Sequence, residues 1–329
     1  MRHPPPATAA ADGPCEPRFL QLHHEDSDAL RDELVRGLRA TPAQVAPKFL
    51  YDPLGSRLFE AITELPEYYP TRTEAAIFRA AAADIAAAVG TGGTLIDLGA
   101  GGCTKAASLF ASLRPARYVA VDISVEFVRE ALNRLQRQHP HIDMTGVGLD
   151  FSQDLALPPE ALQGRPVFFY AGSSIGNFAP ADARALLQRM HAQAAGGGLL
   201  IGVDLVKPAS VLEPAYDDAL GVTAAFNLNL LRHVNRLIGA DFAPRDWRHV
   251  AVYDAAAARI EMHLEARHDL VVHWAGGTRA FRAGERIHTE NSYKYGLDAF
   301  AALLREAGYT DTRHWTDPQR AFAVFWARA

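Results

Sequence analysis

The sequence predicts an α/β chain whose main domain is a doubly wound parallel sheet, joined by a second lobe. Three observations carry that reading. Between residues 94 and 205, short apolar β-rich runs alternate with helical stretches, the pattern of a parallel sheet covered by helices on both faces. A glycine-rich turn, GAGG, follows the first of those runs and precedes a helix. The chain has 329 residues, more than that sheet needs, so the surplus has room to build a second lobe.

Residues 1–25 open as MRHPPPATAAADGPCEP, which lacks the apolar core of a signal peptide and reads as a disordered tail. Asp26–Ala46 places apolar residues at helical spacing, and a second helix follows Thr73, a suitable cap. The aromatic and proline-rich stretch between them, KFLYDPLGSRLFEAITELPEYYPTR, reads as a loop of the kind that holds a ligand. Residues 26–74 are thus the N-terminal part of the second lobe.

The alternation then runs TLIDLGAGG, a helix from Thr104, YVAVDIS, a helix over Val125–Gln138, MTGVGLDF, VFFYAGSSIGNF, a helix over Pro180–Ala195 and GGLLIGVDLV. It stops after Val206. A long helical stretch, VLEPAYDDALGVTAAFNLNLLRHVNRLIG, leads to the strand-like WRHVAVYD, RIEMHLEARHDLVVHW and GERIHTENSYKY. Residues 206–295 therefore read as an insertion belonging to the second lobe. A helix over Asp298–Ala307 and the strand AFAVFWAR return to the sheet, so 75–205 and 296–329 form one domain. The cleft between the lobes is the expected site.

Composition bounds the chemistry. The net charge is −5, from 33 basic and 38 acidic residues, with no long basic run; this excludes a nucleic-acid or anionic-membrane surface and favours a small-molecule enzyme. No run of 18 uncharged apolar residues occurs, so no membrane span is expected. Cys15 and Cys103 form neither a disulfide framework nor a zinc site, which suits a cytoplasmic protein. The 13 histidines are scattered without HExxH or a His/Cys cluster, so no metal is expected. No obligate protein partner is evident either.

In IDLGAGGCTK, Gly99, Gly101 and Gly102 lie between a strand and a helix, where glycine permits close backbone approach to a ligand and the helix start offers free N–H groups. Lys105 sits in that first helical turn, a place a cation occupies best beside a negative group. Asp122 ends the next strand, 21 residues after Gly101, close to the roughly 20-residue spacing of an acid that binds a ribose hydroxyl. NAD and S-adenosylmethionine both remain open on that pattern. Asp97 within the strand, the incomplete GxGxxG and Asp150-Phe151 at the third strand end favour S-adenosylmethionine, since a carboxylate accepts from the adenine amino group and an aromatic covers the ring.

At this point the sequence resembles the S-adenosylmethionine-dependent histidine Nα-methyltransferases of ergothioneine biosynthesis. The matching segments are KFLYDPLGSRLFEAITELPEYYPTRTE, IDLGAGGCTK, VDIS, LDFS, GSSIGNF, AYDDALGVTAAFNLN and IHTENSYKY, in order from residue 48 to 297. The resemblance implies a Rossmann-like class I methyltransferase sheet and trimethylation of L-histidine to its betaine, hercynine, with S-adenosylhomocysteine leaving. It also implies that Gly99, Gly101, Lys105, Asp122, Asp150 and Phe151 hold the cofactor.

By the same carry-over, Tyr68 and Asn177 surround the substrate amine and are the catalytic candidates, while Tyr51 and Tyr216 help place the amino-acid end. An Asn amide offers donor and acceptor to a zwitterion, and tyrosine faces tolerate a growing quaternary ammonium through cation–π attraction. Glu290 and Ser292, two apart in an extended segment, share one face and read both imidazole nitrogens. Asn291 between them is a position expected to vary, with its backbone near the site, and Met262 is a further candidate contact. Two other enzymes compete with this reading: a methyltransferase for a different amino acid or small amine, and an NAD-dependent dehydrogenase. A non-catalytic nucleotide-binding protein is the third rival.

Overall fold

The computed structural model describes residues 16–22, 27–123 and 125–329. Most of the expected tail, residues 1–15 and 23–25, and the expected helix start at Asp26 lie outside the described residues.

Eight strands form the main sheet in the order Arg18–Gln21, Asp143–Gly148, Arg117–Asp122, Thr94–Leu98, Pro166–Tyr170, Gly198–Asp204, Phe322–Arg328, Thr310–Thr316. The first six are parallel. The last two pair antiparallel, so the sheet is mixed rather than wholly parallel. Its central strands are buried along their whole length, as in Thr94–Leu98 and Gly198–Asp204, which is why they read as continuous apolar runs. Helices cover them with one apolar stripe each: in Val125–Gln138 the buried Val128, Ala131, Leu132 and Leu135 recur at helical spacing.

The second lobe is a four-stranded sheet, Ala43–Gln44, Arg286–Tyr293, Arg259–Ala266 and Trp247–Asp254, with a hairpin of Leu270–Trp274 and Gly277–Phe281. Its core gathers Leu34 and Leu38 from Ser27–Arg39, Phe49, Leu50 and Ile62 from the expected loop, and Phe226, Leu230 and Val234 from Val222–Ile238. The two sheets meet where Tyr295 bridges Leu205 in parallel, with the Tyr295 N–H donating to the Asp204 carbonyl at 2.9 Å.

Several expectations are corrected. Arg18–Gln21, assigned to the tail, is the edge strand of the main sheet. Gly146 makes room for it, since a Cβ there would come within 2.8 Å of the Phe19 ring, and Arg18 pairs with Asp143 at 2.8 Å. The ligand loop contains a helix, Pro53–Thr63: Asp52 caps it by accepting from the Gly55 N–H at 2.7 Å, with Pro53 first in the helix. Thr73 caps nothing; it lies inside Tyr69–Ala80. The helix expected to reach Ala46 ends at Arg39, and Ala43–Gln44 pairs with Ile287–His288 instead. The long helical stretch after Val206 is two helices, Ala209–Tyr216 and Val222–Ile238, divided where Asp218 accepts from the N–H groups of Val222 and Thr223.

Candidate active site

Two cavities meet beside Tyr68. The larger, ≈ 340 Å³, opens at the carboxyl ends of the central strands and is lined by Asp97, Gly99, Gly101, Lys105 and Gly172 among others. The smaller, ≈ 40 Å³, lies against the second sheet and is lined by Tyr51, Asn177, Tyr216, Met262, Glu290 and Ser292. Tyr68, Phe59, Gly172 and Ser174 belong to both walls.

The larger cavity has the shape the glycine turn requires. Gly99 and Gly101 take φ of +71° and +49°, a region that favours glycine. The Gly101 N–H donates to Asp122 Oδ2 at 3.0 Å, which ties the turn to the neighbouring strand end. A Cβ on Gly172 would lie 2.8 Å from Lys105 Nζ, so the absence of a side chain there keeps the lysine in place. Asp97 accepts from the Tyr118 hydroxyl at 2.7 Å; burial pushes its carboxyl up to about 7 despite that bond.

Lys105 corrects the sequence argument in one respect. The negative group beside it belongs to the protein: Glu74, buried in Tyr69–Ala80, meets Nζ at 3.0 Å and also accepts from the Gly172 N–H at 2.8 Å. Helix, lysine and glycine loop are thereby fixed to one carboxylate. Asp122, Asp150 and Phe151 do not line the cavity directly. Phe151 packs edge-on to Tyr170 and faces Gly99 at 3.8 Å from where its Cβ would be. Asp150 accepts from the Ser152 N–H and the Gln153 amide in its own loop.

The smaller cavity brings together six of the seven proposed substrate residues. Glu290 lies directly across from Met262 in the sheet, and Ser292 across from Ile260. Asn291 is the exception: strand alternation turns it to the other face, where its amide bonds His288 Nε2 at 2.9 Å. Asn177, from the turn Ser174–Asn177, donates to Glu290 Oε2 at 3.4 Å. Tyr51, Phe59, Phe226, Tyr68 and Tyr216 surround the space, packed edge to face except for the tilted pair Phe59–Phe226.

Burial sets the electrostatics. It pushes the Glu290 carboxyl up to about 7, with the Lys294 charge opposing. Tyr51, Tyr68 and Tyr216 are pushed well above the usual phenol range, again mainly by burial. Burial therefore keeps these phenols neutral at physiological pH, with hydroxyls available as hydrogen-bond donors and acceptors.

Behind the smaller cavity lies a buried cluster that sequence reasoning missed. Asp204 receives Tyr69 at 2.7 Å, Lys294 at 2.9 Å and Lys207 at 2.5 Å. Burial alone would raise its carboxyl, but the two ammonium groups hold it below the ordinary value. Lys294 was legible: it continues the face of Glu290 and Ser292 by one more step of two. Glu74 gave no sequence signal, being a lone acid in a helix.

Comparison with known proteins agrees with this geometry. A family model for histidine-specific, S-adenosylmethionine-dependent methyltransferases matches residues 30–329. A histidine N-alpha-methyltransferase from Mycolicibacterium smegmatis is 41% identical over 305 residues, 91% of this chain and 94% of its own length. One from Mycobacterium tuberculosis is 40% identical over 303 residues, 90% and 94% of the two chains. Ergothioneine biosynthesis protein 1 of Neurospora crassa is 33% identical over 288 residues, 84% of this chain and 32% of its own. The chain belongs to the histidine-specific, S-adenosylmethionine-dependent methyltransferase family.

Proposed function

We propose that this enzyme trimethylates the α-amino group of L-histidine to hercynine, a step of ergothioneine biosynthesis. The observation that carries the reading is the small cavity walled by Glu290 and Ser292 and opening at Tyr68 onto the larger one. When bound, S-adenosylmethionine supplies a methyl group activated on a sulfonium. The residues in the cavity wall that would hold it are Gly99, Gly101 and Gly172 at the backbone and Lys105 at a carboxylate; Asp122 for the ribose and Asp150 with Phe151 for adenine, which lie outside that wall, are proposed from the family resemblance.

Asn177 and Tyr216 take the amino-acid end, and Tyr51 and the other rings exclude water. Glu290 accepts an imidazole N–H and Ser292 meets the other nitrogen; Met262 packs on the ring. Asn291 contributes backbone only. Tyr68 stands at the junction, where its neutral hydroxyl orients the amine lone pair or passes its proton to water between methylations. An α-amino group with a reference pKa of roughly 8 is already partly neutral at cellular pH, so a strong base is unnecessary. Positioning contributes most, on the order of 7–11 kcal/mol.

In this proposal residues 75–205 and 296–329 hold the cofactor and lend Asn177 to the substrate pocket, and 26–74 with 206–295 supply most of the rest of that pocket. Among the described residues no helix is long and apolar enough to cross a membrane. Cys103 is a buried free thiol, consistent with the cytoplasm we propose as its compartment. The test is to incubate the protein with S-adenosylmethionine and each amino acid in turn and to read product masses. Histidine carrying one, two and three methyls is expected; a product from another amino acid in its place overturns the reading.

A further inference from the structure

Lys294 has a fully buried side chain at the end of the strand Arg286–Tyr293. Each of its three ammonium hydrogens has an acceptor: Asp204 Oδ2 at 2.9 Å, the Tyr216 hydroxyl at 2.8 Å and Ser292 Oγ at 2.7 Å. Those two hydroxyls also bond each other at 2.7 Å. An ammonium only donates, so both oxygens accept from Lys294. One of the two hydroxyl hydrogens then lies in the Tyr216–Ser292 bond. A phenol is the more acidic partner and the better donor, and an aliphatic hydroxyl the better acceptor, so Tyr216 donates to Ser292. Ser292 Oγ thus accepts twice, from Lys294 and from Tyr216, and its own hydrogen is left for the cavity it lines.

We propose that Lys294 is a positioning residue for substrate choice: by filling the acceptor sites of Ser292 it makes that hydroxyl solely a donor toward the cavity. This rests on the histidine reading above. Two residues from Ser292 on the same strand face, the Glu290 carboxylate lines the same pocket and only accepts when ionised. The walls therefore select a ring with one bare nitrogen and one N–H, which is neutral imidazole. A protonated imidazole would turn an N–H on the Ser292 donor, and an indole, which has no ring acceptor, would leave that donor unpaired.

Lys294→Met is a usable probe because Asp204 keeps Lys207 and Tyr69 as partners. Steady-state kinetics on the full-length enzyme compare wild type, Lys294→Met, Ser292→Ala and the double variant. Lys294→Met is expected to raise KM for histidine at least tenfold, with kcat changed less than threefold and S-adenosylhomocysteine affinity unchanged. In the Ser292→Ala background the same substitution is expected to change KM less than twofold, because its effect passes through that hydroxyl. An equal effect in both backgrounds, or an unchanged KM, overturns the proposal.

Lys294→Gln, which keeps a donor toward Ser292, is expected to recover part of the loss. Wild-type enzyme supplies an arm that needs no variant. The better of the two thiazolylalanines, 4-yl and 5-yl, carries a bare ring nitrogen and is expected to compete at least tenfold better than 2-thienylalanine, which carries none. Equal inhibition by the two overturns the donor assignment even if the Lys294 variants do not fold. Wild-type enzyme that leaves histidine unmethylated overturns the histidine reading itself; turnover without these effects overturns only the role of Lys294.

Discussion

The Asn177 amide nitrogen reaches the Glu290 carboxylate at 3.4 Å, so a turn that follows a strand of the main sheet touches a strand of the second sheet. The contact is long, and a ligand that tightens it draws both lobes onto itself. Asn177→Ala is expected to lower kcat/KM for histidine by about 100-fold, the scale of losing hydrogen bonds to charged groups. S-adenosylhomocysteine binding, followed by calorimetry, is expected to change little.

Glu290 titrates near neutrality because burial raises its carboxyl to about 7. Histidine affinity is therefore expected to rise between pH 6 and 8 as the carboxylate forms. Glu290→Gln is expected to weaken binding and to leave only the pH dependence of the substrate's own imidazole and α-amino groups. Isothermal titration across that range distinguishes the two profiles.

The same shift has a sign for stability. A carboxyl whose pKa is higher folded than unfolded binds more protons in the native state, so its contribution is present below about 4.5 and lost as pH rises through about 7. Relative to wild type, ligand-free Glu290→Gln is expected to be more stable at pH 8 than at pH 5. Urea unfolding at both values measures the difference, with an upper scale of about 3 kcal/mol.

Tyr68→Phe keeps the ring and removes only the hydroxyl. A fall in rate of about 10- to 100-fold is expected, with mono- and dimethyl histidine accumulating as the trimethyl product declines. An unchanged rate and product distribution would remove Tyr68 from the chemistry.

Asp122→Ala is expected to abolish S-adenosylmethionine binding while circular dichroism stays native, since the residue acts at a strand end through the Gly101 N–H. Glu74→Gln is milder. It leaves the Gly172 N–H an acceptor but sets an amide donor against Lys105, and a loss of about tenfold in cofactor affinity is expected.

The sheet was readable because its central strands are buried on both faces and so appear as apolar runs between helices. The glycine turn was readable because a tight positive-φ turn between a strand and a helix calls for glycine at Gly99 and Gly101, and Asp122 because it closes the next strand, where the Gly101 N–H bonds it. Arg18–Gln21 escaped because an edge strand of four residues carries no alternation long enough to register. Pro53–Thr63 escaped because aromatic and proline content masked the capping signal of Asp52-Pro53. Asp204 and Glu74 are beyond any local pattern: each is made meaningful by partners far away in the chain, Lys294 for one and Lys105 and Gly172 for the other.

The Leu205–Tyr295 bridge joins the strand ends that carry Asp204 and Lys294. With the Asp204–Lys294 ion pair beside it, the two cavities are held to one another at the place where one sheet becomes the other. The small cavity takes its sheet wall from the two inner strands, through Met262, Glu290 and Ser292, so an insertion in an outer strand leaves that wall in place. A single residue added at the joint itself is expected to disturb the alignment of the two cavities, read as a loss of methyl transfer larger than the loss of binding in either one.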